Sequence, residues 1–200
     1  TLSHNDQFID FNGVMKGDTF KDFNFTFNDV DISKVTPDIK NLNLGGKLNG
    51  ELKYKQDNLI YEPSTNLTID SLMVNDIELG DLKLEVSGDE SFKKFNVDAT
   101  ILHKDEVTFY TTGIVEIVNN KTILNLDASF ENFNIKPIGG FLKGILDNVR
   151  GFVKGQAHIV GSIDNPEVDG VLYLSNAGMR VPYLNVDYDF DKDSKIDLTQ

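Results

Sequence analysis

The chain has 200 residues, with 19 Lys and Arg against 32 Asp and Glu, a formal net charge of -13 and a pI of about 4.5. It has no Lys/Arg run that would neutralise phosphates, so nucleic acid is not an expected partner, nor is an electrostatic grip on anionic lipid heads. Cysteine is absent, which removes disulfides and zinc-thiolate sites, and no apolar run approaches the roughly 18 residues that span a bilayer.

From the N-terminus onward the dominant signal has period two, the signature of strands with one apolar and one polar face. Phe23, Phe25 and Phe27 share one face in "FNFTF". A weak helical spacing follows at Val35, Ile39 and Leu42. Leu82, Leu84 and Val86 share a face in "DLKLEV", as do Phe95, Val97, Ala99 and Ile101 in "FNVDATI", and Leu124, Leu126 and Phe130 in "LNLDASF". Turn signals at 11–13, 44–46, 87–91, 118–121 and 162–166 separate these runs at hairpin spacing, which predicts a long antiparallel meander.

One stretch departs from the alternation. Ile138, Phe141, Leu142, Ile145, Leu146 and Val149 follow the spacing of an amphipathic helix over about 137–150, with Pro137 at its start and Gly151 at its stop. Gly139, Gly140 and Gly144 weaken it. Packing on the adjoining sheet is the plain reading of such a stripe. Lying on a membrane surface is the sharper one, although Lys143 and Arg150 give it only a thin basic face. The last strand signal brings Tyr188 and Phe190 to one face.

The chain also repeats itself. "FNDVDI" at 27–32 returns as "FENFNI" at 130–135, "GKLNGELKY" at 46–54 as "GFVKGQAHI" at 151–159, and "IELGDLKLEV" at 77–86 as "VPYLNVDYDF" at 181–190, with offsets of 103 to 105 residues; Pro63 lies 103 before Pro166. The expected organisation is one continuous architecture. It comprises N-terminal strands over 1–26, a degenerate first unit over 27–91, connecting strands over 92–129 and a second unit over 130–200, all belonging to a longer protein.

No nucleophile elbow, Walker loop, dinucleotide fingerprint or zincin helix is present, and His4, His103 and His158 lack ligand-spaced partners. A calcium-loop spacing from Asp189 has Ser194 where glycine is needed and Gln200 where a bidentate glutamate belongs. No catalytic residue, metal or cofactor is expected, and no enzyme.

The second unit carries a helix signal, Gly151 and Gly155 four apart, a short strand to Gly161, a turn through Asn165, Pro166 and Gly170, a strongly apolar strand, and a return after Pro182. In that order these resemble the repeat of the TamB family, in the AsmA-like group of envelope proteins. The resemblance implies a mostly β fold, a long curved antiparallel sheet forming a β-taco, or partly open trough, with one amphipathic helix per repeat. It further implies a periplasmic location, an inner-membrane anchor outside this segment and a role in outer-membrane biogenesis. On that reading Phe23, Phe25, Phe27, Leu82, Leu84, Val86, Phe95, Val97, Ala99, Ile101, Leu124, Leu126, Phe130, Tyr188 and Phe190 line a groove for phospholipid acyl chains. The alternative is a scaffold for barrel-protein assembly beside an Omp85-type partner, through strand addition. Two other architectures fit the same alternation: a closed sandwich whose apolar faces meet, and a stalk or adhesin of β repeats.

Overall fold

The computed structural model describes residues 1–4, 6–36, 42–140 and 145–199. Thirteen strands form one antiparallel sheet that follows chain order: β1 (Leu2–His4), β2 (Gln7–Lys16), β3 (Phe20–Asp31), β4 (Leu44–Asp57), β5 (Ile60–Val74), β6 (Ile77–Gly88), β7 (Lys94–His103), β8 (Glu106–Val118), β9 (Lys121–Asn134), β10 (Asp147–Ser162), β11 (Asn165–Val181) and β12 (Val186–Asp189). β13 (Ser194–Leu198) returns to pair with β11 beside β12. Among the described residues the sheet does not close on itself.

Local chemistry explains the meander. Asn75–Asp76, Lys104–Asp105 and Asn119–Asn120 each place two successive residues at positive φ. That is the geometry of the two-residue hairpin turn whose twist matches its flanking strands, and Asn and Asp tolerate it best. The turn of the 160s falls at Ile163–Asp164, so Asn165, Pro166 and Gly170, expected within the turn, lie in β11.

Among the described residues nothing supports the amphipathic helix expected over 137–150. Lys136–Gly140 is one short 3-10 segment, and from Asp147 the chain is already β10, with Val149 in strand. Ile145 is exposed and Leu146 half-buried; Phe141 and Leu142 lie outside the described residues. Gly139 and Gly140 give a helix no propensity, and Asn148 stands at φ 52, which interrupts any helix running into β10. The matching connection between β3 and β4 opens with a 3-10 turn at Ile32–Lys34, capped by Asp31; Ile39 of its weak helical signal lies outside the described residues.

Strand pairing supports an internal repeat, on a register of its own. Phe27 opposite Gly50 and Leu67 matches Phe130 opposite Gly155 and Leu172, and Val30 opposite Leu48 matches Phe133 opposite Val153. Left-handed residues recur at Asp29 and Asn132, at Gly46 and Gly151, and at Ser71 and Asn176. Within this register Pro63 opposes Tyr54, the counterpart of Ile159, so its equivalent is Val168 and not Pro166. The third sequence match also shifts: β6 is continuous, whereas its counterpart is broken into β12 and β13.

Candidate functional site

Cross-strand partners share a face, so the register can be followed from edge to edge. One row runs Phe11, Phe25, Leu52, Thr65, Val86, Val97, Gly113, Leu126, Ile159 and Val168 across ten strands, β2 to β11. The next carries Phe27, Gly50, Leu67, Leu84, Ala99, Thr111, Ala128, Ala157 and Gly170, and a third Leu48, Ile69, Leu82, Ile101, Phe109, Phe130, Gly155, Leu172 and Ile196. Phe23 and Phe95 lie one row to the other side, as does Leu124. The sequence-derived lining from Phe23 to Phe130 is therefore on one face. At the far edge Phe190 packs against Val153, Leu174 and Ala177, while Tyr188 opposes Met179 and is exposed.

This face is packed unevenly. At the strand ends served by the two long connections, Ile32, Leu72, Leu79 and Ile101 form a buried cluster joined by Leu44, Phe109 and Phe133. Val153, Leu174 and Ala177 form a second, joined by Phe130 and Ile135. The Asn75 amide donates to the Pro137 carbonyl at 3.3 Å. Those sites belong to the β5–β6 turn and the β9–β10 connection, about four strand spacings or roughly 19 Å apart in a flat sheet. The contact ties the β5–β6 turn to the start of the β9–β10 connection.

At the opposite strand ends an aromatic chain replaces aliphatic packing. Phe11 touches Phe23 and Phe25 with ring centroids 5.5 and 4.7 Å apart, Phe23 stacks on Tyr54 at 6.3 Å, and Phe92 sits edge-on to Tyr54 and Phe95 at 5.5 and 5.4 Å. Phe92 belongs to the β6–β7 loop and folds back over this end.

Between the two ends the row from Phe25 to Val168 is half-buried throughout, and no described side chain of the whole molecule is fully buried. The accessible surface is 12760 Å². A compact chain of this mass exposes about 9,400 Å². A single sheet with no second layer among the described residues accounts for the difference.

The other face is wet. Its ion pairs include Lys55–Glu62 at 2.9 Å, Lys154–Glu131 at 2.9 Å and Lys94–Glu116 at 3.4 Å, each worth little by itself in solvent. Arg150 bridges β10 to β12 through Asp187 at 2.8 Å and through Asp189. The guanidinium holds the Asp187 carboxyl below its ordinary range. Asp189, the first position of the calcium-like spacing, is thus engaged with Arg150, and Ser194 to Asp197 of that spacing form β13.

Sequence reasoning missed Leu52, Tyr54, Leu67, Ile69, Phe109, Ile159 and Leu172. Leu52 and Tyr54 alternate with lysines and were legible in "ELKYK", whereas Phe109 is masked by the adjacent Tyr110, which points to the wet face. Searches against family models, curated proteins and solved structures find no match to this chain.

Proposed function

We propose that the apolar face curves into a trough that shelters lipid acyl chains, and that the chain is part of a periplasm-spanning protein carrying phospholipid between inner and outer membranes. The observation that supports this best is the half-buried row from Phe25 to Val168, apolar but for Thr65 and Gly113, which runs across nine strands with no second layer over it among the described residues. With Phe11 it covers ten strands, so it extends about 43 Å along the sheet, more than the roughly 30 Å hydrocarbon core of a bilayer. Each methylene moved out of water is worth about 0.8 kcal/mol, so an apolar wall lowers the cost of moving a lipid tail without any catalytic group.

The rival reading, a scaffold that hands barrel strands to an Omp85-type partner, draws on the outer edge of β2, which from Asp10 to Lys16 has no strand partner among the described residues. The two are separated by photocrosslinking to a phospholipid with a photoactivatable tail. Probes at Leu84 or Leu126 label the lipid, probes at Lys83 or Asn125 on the wet face do not, and Val97→Asp reduces labelling from Leu84 several-fold. Equal labelling from both faces, or labelling indifferent to Val97→Asp in a folded chain, counts against the trough.

A further inference from the structure

The outer edge of β2 is only partly covered. β1 pairs with Gln7, Phe8 and Ile9, and from Asp10 to Lys16 that side of the strand has no strand partner among the described residues. Phe11, Val14 and Met15 are 49%, 49% and 65% exposed along it. No proline or bulge blunts this stretch, and its only charges stand at its two ends, so its amides and carbonyls are a template for another strand.

The repeat states what fits there. β2 is the counterpart of β8, since Ile9 opposite Phe27 and Gly13 opposite Phe23 match Phe109 opposite Phe130 and Gly113 opposite Leu126. β1 is then the counterpart of the last residues of β7. His4 opposes Gln7 as His103 opposes Glu106, and "LSHNDQ" at 2–7 matches "ILHKDE" at 101–106. β7, however, runs ten residues and covers β8 as far as Glu116, whereas β1 has three.

We infer that the β2 edge is a docking site for an extended strand of the β7 type, supplied by a further unit of the same six-strand repeat, running antiparallel to β2 in line with β1. In the β7 register, positions equivalent to Phe95, Val97 and Ala99 oppose Met15, Gly13 and Phe11, so the apolar face continues across the new strand. One position must differ. Lys94 meets Glu116 at 3.4 Å, but the residue of β2 in that place is Lys16, so the incoming strand carries an acid there. This inference is independent of what the trough carries.

The test extends the whole chain at its N-terminus with "FKEFNVDA", the 92–99 sequence with Lys94→Glu, which runs directly into Thr1 and β1. Hydrogen exchange at Asp10–Lys16 is compared with that of an extension of equal composition, "FKENFDVA", whose second Phe and Val fall on the opposite face. Protection of alternate amides higher by about tenfold in the first supports the inference. Equal protection in both, or none in either, overturns it. The charge rule has its own check: in a Lys16→Glu chain the preference passes to the extension that keeps lysine, "FKKFNVDA". Failure to exchange preferences rejects the assigned register.

Discussion

Asp89 turns the β6–β7 connection back on itself. Its carboxylate accepts from the Ser91 hydroxyl at 2.8 and 2.9 Å and from the amides of Lys93 and Lys94 at 3.1 Å. These bonds, the Ser91 hydroxyl foremost, hold the carboxyl below its ordinary range. A lowered folded value means that protons bind the open loop better. The order that Asp89 supplies is therefore complete above the ordinary carboxylate range and is lost as pH falls through the lowered folded value. Since this loop carries Phe92 onto Tyr54 and Phe95, acid should loosen the Lys93 and Lys94 amides and release the Phe92 ring while the central strands stay protected. In Asp89→Asn, exchange at these amides should be faster near neutrality and the acid step should vanish. An acid step that survives in Asp89→Asn would assign the titration to another group. "SGDES" was legible as a turn, but the return of Phe92 was not, because it depends on Tyr54 of β4 and Tyr61 of β5, distant in sequence.

Among the elements, the paired strands β3–β4–β5 and β9–β10–β11 repeat their irregularities as well as their apolar pattern. Gly155 shows why the irregularities matter. At φ +141, an added Cβ would stand 2.1 Å from the Val171 carbonyl and 3.0 Å from the Leu172 Cα, and backbone atoms cannot step aside. Gly155→Ala should cost about 2 to 4 kcal/mol, through clash and an unfavourable φ together. Gly17, at φ +61 with nothing within 4 Å of its Cβ position, isolates the second effect. Its Ala variant should lose only about 1 to 2 kcal/mol in chemical denaturation. Comparable losses at both sites would show that the close approach of β10 and β11 relaxes freely. Glycines spaced like Gly151 and Gly155 are visible in a sequence, and so is strand alternation. The 138–149 stripe misled because periodicity counts spacing alone, whereas Lys136–Gly140 forms a 3-10 segment and the chain from Asp147 takes its conformation from pairing with β11.

Across the whole molecule, position along the strands matters more than membership of the apolar face. Ile101 and Val97 are four residues apart on β7 and point to the same side. Ile101 is 7% exposed within the cluster at the connection end, whereas Val97 is half-buried in the central row, which has no second layer above it among the described residues. An aspartate at 101 would have to leave water among Ile32, Leu72 and Leu79, so Ile101→Asp should cost about 4 kcal/mol or more and unfold much of the population. An aspartate at 97 can still reach water through the open side, so Val97→Asp should cost only about 1 to 2 kcal/mol and keep the far-ultraviolet signature of the sheet. In a closed sandwich both positions would lie between two layers, and the two variants would fall together. Equilibrium unfolding of the pair therefore measures how open the apolar face is at its central row, without any lipid present. Equal and large losses would mean that the central row is sealed in solution, and the acyl-chain reading would lose its physical basis.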